Sequence, residues 1–244
     1  MVIHERPLLQ LTHLQRLDVF NLNVLSFMRS GSFAVIARCL TQLTCLEGDT
    51  VTIYDDDAPH IISGLATLLL KKLGVYSFGP QQPGAAAGVT GPAAVGALFG
   101  QLTGLTSLTL VLGSYAWRDV TASLARLTDL QDLMLHVDDN DKQNWAPIGN
   151  VADCEGFVDT IVGLEKLRYL IACDPWFGSG HGEGDGSHPI MRLQAATQLV
   201  YLDIFWMQPK PSITRADSDT LQKSMPEVQL GKGVSEGDGF KGSG

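Results

Sequence analysis

Acidic and imidazole side chains are crowded into one glycine-rich stretch, Asp174–Pro189 (DPWFGSGHGEGDGSHP), where His181, Glu183, Asp185 and His188 could offer nitrogen and oxygen ligands to a metal ion. Their neighbours are Gly and Ser, and their spacing matches no structural zinc pattern. Ordering so flexible a stretch around an ion costs chain entropy. A solvated linker is the expected reading, with a metal- or small-molecule-binding regulator using residues 178–188 as the alternative. Asp138, Asp139, Asn140 and Asp141 resemble the start of a calcium loop, but Gly149 stands where its bidentate Glu is required, so an EF-hand is excluded. Asp55, Asp56 and Asp57 read as a polar turn that discourages sheet-edge pairing. Cys39, Cys45, Cys154 and Cys173 have no Cys-x-x-Cys spacing and are expected to be free, core-packed thiols.

Catalytic patterns are missing too. There is no His-Glu-x-x-His, and the glycines of 79–91 lack the Gly-Lys-Ser/Thr ending of a phosphate loop. No catalytic residue, metal or cofactor is therefore expected, and the chain is read as a non-enzyme.

The elements that must position any functional side chain are announced by repetition. Leu-x-x-Leu-x-x-Leu-x-hydrophobic occurs as LTHLQRLDV at Leu11–Val19, LTGLTSLTL at Leu102–Leu110, LTDLQDLML at Leu127–Leu135 and LEKLRYLIA at Leu164–Ala172. Looser copies begin at Leu40, Thr67 and Ala196, and a terminal one contains Met225, Val228 and Leu230. With Leu17, Leu46, Leu73, Leu108, Leu133, Leu170, Leu202 and Val228 as a ruler, the steps average about 30 residues. Alternation at the end of each phrase, as in Leu108-Thr109-Leu110, predicts a short strand. Apolar residues three or four apart precede the phrases, at Phe33, Ile36, Ala37 and Leu40, at Val120, Leu124 and Leu127, and at Phe157, Ile161 and Leu164. That spacing predicts a helix before each strand.

On these phrases the chain resembles the leucine-rich-repeat proteins, over nearly all of its length. The resemblance implies an α/β solenoid, or horseshoe, of about seven or eight irregular repeats, with parallel strands on a concave face and helices on a convex one. Gly113 and Asp138 stand where many such repeats carry Asn or Cys, so the repeats look closer to the irregular ribonuclease-inhibitor-like and F-box-associated type. Similar repeats serve as substrate receptors of cullin-type ubiquitin ligases and as axonemal or cytoskeletal scaffolds. No Leu-Pro-x-Glu-Leu segment precedes the first repeat here.

Residues 1–230 are expected to form one repeat domain and 231–244 a disordered tail of Gly, Ser and charge. The first phrase lacks a polar cap, so a partner is expected to cover that end unless the chain is a fragment of a longer repeat protein. Three insertions, Ser77–Ala94, Asp138–Glu155 and Asp174–Pro189, all follow a strand and should share one rim.

At 244 residues, 45% hydrophobic and a net charge of −9, the composition suits one sizeable core and a basic protein partner, and disfavours nucleic acid or an anionic membrane. No apolar run reaches the ~20 residues of a membrane span. Glu5 interrupts any secretion signal. Cytoplasmic location is expected, with nuclear or cytoskeletal placement as alternatives.

Residues alternating with the ruler leucines should face outward in columns. Those of the later repeats give a candidate partner-binding patch of Asp132, Met134, His136, Tyr169, Ile171, Tyr201, Asp203 and Phe205. Aromatic and Met side chains beside acids are a usual interface composition. Trp145, Trp176 and Phe177 are the candidate rim-loop contacts.

Overall fold

The fold comes from a computed structural model that describes residues 10–19, 37–48, 64–76, 99–112, 117–137, 151–173, 188–205 and 215–230. It is an α/β arrangement built on one eight-stranded sheet whose strands run in sequence order, every neighbouring pair parallel. The strands are β1 (Arg16–Val19), β2 (Cys45–Gly48), β3 (Lys72–Tyr76), β4 (Ser107–Leu112), β5 (Asp132–Val137), β6 (Tyr169–Cys173), β7 (Tyr201–Phe205) and β8 (Gln229–Leu230). Helices α1 (Trp117–Leu124), α2 (Val151–Gly163) and α3 (Arg215–Ser224) precede β5, β6 and β8, and a 3-10 helix, Pro189–Ala195, precedes β7.

The Leu-x-x-Leu phrase folds as a tight turn into each strand. The N–H of its second leucine donates to the carbonyl of its first: Leu14 to Leu11, Leu43 to Leu40, Leu105 to Leu102, Leu130 to Leu127, Leu167 to Leu164, Leu199 to Ala196 and Val228 to Met225. The residue just before each strand then ties neighbouring repeats together. The carbonyls of Gln15, Thr44, Lys71, Thr106, Gln131 and Arg168 each accept two successive N–H groups of the next repeat, such as those of Thr44 and Cys45 on Gln15. Thr44 and Thr106 add their hydroxyls to the same carbonyls, on Gln15 at 3.3 Å and Lys71 at 3.0 Å. Backbone donors at the sheet entrance are thus satisfied by the preceding repeat, whatever side chain stands there.

Strand alternation sends the ruler leucines to one face, where they meet the helices. Leu46, Leu73, Leu108, Leu133, Leu170 and Leu202 are all buried in one cluster with Leu124, Phe157, Ile161, Ile190, Leu193 and Leu221. In α2 the apolar face is Cys154, Phe157, Val158 and Ile161, the three-and-four spacing of a helix packed on one side. Each fully buried leucine contributes roughly 1.5–3 kcal/mol, so the cluster is the main source of stability. The segment before β7 is too short and too proline-directed for an α-helix. Pro189 presets φ at its start, and His188, itself buried, caps it by accepting the Ile190 N–H on Nδ1 at 3.2 Å.

The predicted ruler holds from Leu17 through Leu202, which lie opposite one another in register. It fails at the last step, where Leu230 pairs with Leu202 and Val228 does not. Met225 and Val228 occupy the turn, so the final phrase is Met-x-x-Val-x-Leu, one residue shorter than the others. Two further expectations are corrected. The second insertion ends earlier than predicted, because Val151–Glu155 already belongs to α2. The third overlaps the 3-10 helix at Pro189.

The intervals 77–98, 138–150 and 174–187 each leave from the carboxyl end of a strand, β3, β5 and β6, and parallel strands put those ends on one edge of the sheet. The tail 231–244 and the residues before Gln10 lie outside the described residues.

Candidate functional site

The face of the sheet turned away from the helices displays the predicted columns. Arg16, Cys45, Lys72, Ser107, Asp132, Tyr169, Tyr201 and Gln229 follow one another in register. In the second column Gly74, Thr109, Met134, Ile171 and Asp203 do the same, and Asp18 pairs with Glu47. The face divides by chemistry. Its early strands carry Arg16, Asp18, Glu47 and Lys72; the middle is small, with Gly74, Ser107 and Thr109; its late strands carry the apolar and aromatic groups.

In that late patch Tyr169 is 47% exposed, and its ring lies 6.4 Å from that of Tyr201, tilted by 35°. Adjacent parallel strands with tyrosine at the same register bring this about, since strands are about 4.8 Å apart. The Tyr201 hydroxyl donates to Asp203 Oδ2 at 3.2 Å. Burial first, then the Asp203 charge, pushes the Tyr201 hydroxyl above its ordinary range, so it remains a donor at neutral pH. Tyr201 is thereby held upright while Tyr169 stays accessible. Asp132, Met134, His136, Ile171 and Asp203 are partly exposed around the pair. Phe205 occupies the last position of β7 opposite Cys173. Trp145, Trp176 and Phe177, the expected rim contacts, lie outside the described residues.

A second cluster was not singled out by motif. Asp18, Cys45 and Glu47 place one ligand-type atom each within 4.8 Å of one another. Arg16 already neutralises the two carboxylates, with Nε 3.0 Å from both oxygens of Asp18 and Nη2 2.6 Å from Glu47 Oε2. Burial first, and Glu47 next, pushes the Cys45 thiol above its ordinary range, which keeps it protonated and a poor metal ligand. The arrangement is an ion-paired surface patch. The i, i+2 spacing of Arg16 with Asp18, and of Tyr201 with Asp203, permits both pairs, because such residues share a strand face.

Of the metal candidates in the glycine-rich stretch, His188 is a buried helix cap; His181, Glu183 and Asp185 lie outside the described residues, as do Asp55–Asp57 and Asp138–Asp141. Cys39, Cys45 and Cys154 form no disulfide; Cys154 packs in the core as expected, whereas Cys45 lies on the sheet face opposite the helices and Cys39 is partly exposed. Among the described residues no helix is long and apolar enough to cross a membrane.

On the helix side, Arg192 of the 3-10 helix reaches Asp159 at 2.6 Å and Glu155 at 3.5 Å, pinning that helix to α2. A shallow groove lined by Met191, Arg192, Gln194, Asp217 and Thr220 runs between the 3-10 helix and α3. The chain matches no protein-family model, and no curated protein matches it.

Proposed function

We propose that this chain is a non-catalytic protein-recognition scaffold of the leucine-rich-repeat type, which binds a partner protein through the sheet face opposite its helices. The observation that carries the reading is the accessible Tyr169 ring standing 6.4 Å from Tyr201 on a main-chain-locked sheet. Aromatic side chains with few rotatable bonds bury much area at small entropic cost, and a preformed face adds little ordering cost of its own. Met134 and Ile171 extend the apolar centre, while Asp132 and Asp203 supply acid at its edge. With the net charge of −9, this composition suits an apolar or aromatic anchor flanked by basic residues on the partner. Trp145, Trp176 and Phe177 are proposed as further contacts with the same partner.

The test is affinity capture from native lysate, read by mass spectrometry, with wild type beside the Tyr169→Ala, Tyr201→Ala, Phe205→Ala triple variant. A partner retained by wild type and lost by the folded triple variant supports the reading. Identical sets of captured proteins would sink it.

A further inference from the structure

The first repeat differs from the others in its core. Leu11 remains 44% exposed and Leu14 and Leu17 are only partly buried, whereas Leu127, Leu130 and Leu133, their equivalents in the fifth repeat, are buried. Among the described residues the strand they lead into, β1, is the terminal strand of the sheet. The parallel bonding to β2 fixes which of its backbone groups point outward. Gln15 presents its carbonyl to Cys45, and the register sets Arg16 opposite Cys45 and Asp18 opposite Glu47. Alternation along a parallel ladder then directs the Leu17 N–H and carbonyl to β2, and those of Arg16 and Asp18 to the outer edge.

We infer that β1 is a homotypic docking edge, which pairs antiparallel with β1 of a second copy about a two-fold axis through Leu17. The self-complementarity of the strand selects this occupant. An antiparallel pair centred on Leu17 sets Arg16 of one copy opposite Asp18 of the other, twice. These are also the residues whose N–H and carbonyl groups face outward, so the narrow hydrogen-bonded pairs and the opposite-charge pairs coincide. Leu17 falls opposite Leu17, on the face where Leu11 and Leu14 also lie, so the two partly open leucine layers close on each other. Within one copy Arg16 already sits between Asp18 and Glu47 on the opposite face of the sheet. Dimerisation extends this cluster into a continuous row of alternating charge across the axis. A two-fold interface is closed, which ends the sheet at a pair of molecules instead of a fibre.

The experiment is light scattering coupled to size-exclusion chromatography on the full chain over a dilution series, with three variants. Wild type is expected to form a dimer. Arg16→Glu places Glu opposite Asp18, and Asp18→Arg places Arg opposite Arg16; each should weaken dimerisation roughly tenfold or more, as like charges directly opposite repel. The charge swap R16E/D18R restores both cross-axis pairs and should restore the dimer. Circular dichroism of each variant establishes that the fold is retained, and two independent single variants guard against one of them misfolding. A wild-type monomer at every concentration overturns the inference. So does a dimer indifferent to both single variants, or a ladder of ever larger species, which would mean end-to-end stacking of β1 on β8.

Discussion

The two ends of the sheet are made of the same kinds of residue in the same kind of turn, yet they are packed differently. At the carboxyl-terminal end Met225 and Val228 are buried, beneath α3 with its buried Leu221. At the amino-terminal end Leu11 is 44% exposed, and Leu14 and Leu17 are only partly covered. The better hydrophobes are at the open end. Burial in this molecule is therefore conferred by the adjoining layer and not by the composition of the layer itself, as expected when each repeat contacts only its neighbours.

The largest expected effect comes from the same truncation made in two layers. Leu130→Ala, in a fully packed turn, should cost about 2–5 kcal/mol, as large-to-small changes in close-packed cores do. Leu14→Ala, at the equivalent place in the first turn, should cost less than half as much. Urea denaturation of the two variants measures both; equal losses would break the comparison between open and closed layers.

Thiol labelling sharpens it. Cys39 is partly exposed, while Cys45 and Cys154 are buried, the former in the second repeat and the latter on α2. Iodoacetamide followed by intact mass should modify Cys39 first, then Cys45, and Cys154 roughly tenfold more slowly than Cys45, because layers near an open end unfold locally at lower cost. Cys154 reacting before Cys45 would show that the amino-terminal layers are not the weaker ones. The Cys45 thiol, raised by burial and Glu47, adds a pH dependence. Its contribution to stability is complete below the unfolded thiol range and lost as pH rises through the higher folded value.

The smallest effect is electrostatic. Lys166 donates to Asp129 across two adjacent turns, and this hydrogen bond, with the lysine charge, holds the Asp129 carboxyl below its usual range. Such a contribution is present above the unfolded carboxylate pKa of about 4 and lost as pH falls through the folded value. An NMR titration of Asp129 should show the depressed value in wild type and its return toward normal in Lys166→Met. An unchanged titration would mean that the pair is not formed in solution.

Much of this arrangement was legible in the residues. Leu-x-x-Leu-x-x-Leu is readable because its three leucines are spaced to close a turn and then enter a strand, and the columns Arg16 to Tyr201 followed from alternation alone. Where a phrase lost a residue, as in Met225-x-x-Val228-x-Leu230, counting from the second apolar residue put the ruler two positions early. Of the sheet face opposite the helices, the side-by-side tyrosines were foreseeable from register. The bond from Tyr201 to Asp203 and the Arg16 cluster depend on rotamers, which no spacing specifies. Their i, i+2 placement made them permissible and no more.

The doubly accepting carbonyls at the sheet entrance have one more consequence. The residues that provide them are Gln15, Thr44, Lys71, Thr106, Gln131 and Arg168, with little in common but a peptide group. Since the main chain sets the alignment of each strand on the last, the stretch between two strands can gain or lose residues without shifting the display. The 37 residues separating Leu133 from Leu170 and the 25 separating Leu108 from Leu133 deliver their strands to the same register. Over generations, loop length and surface pattern are then free to change independently, so insertions can remodel the rim while the columns of side chains beside it stay in place.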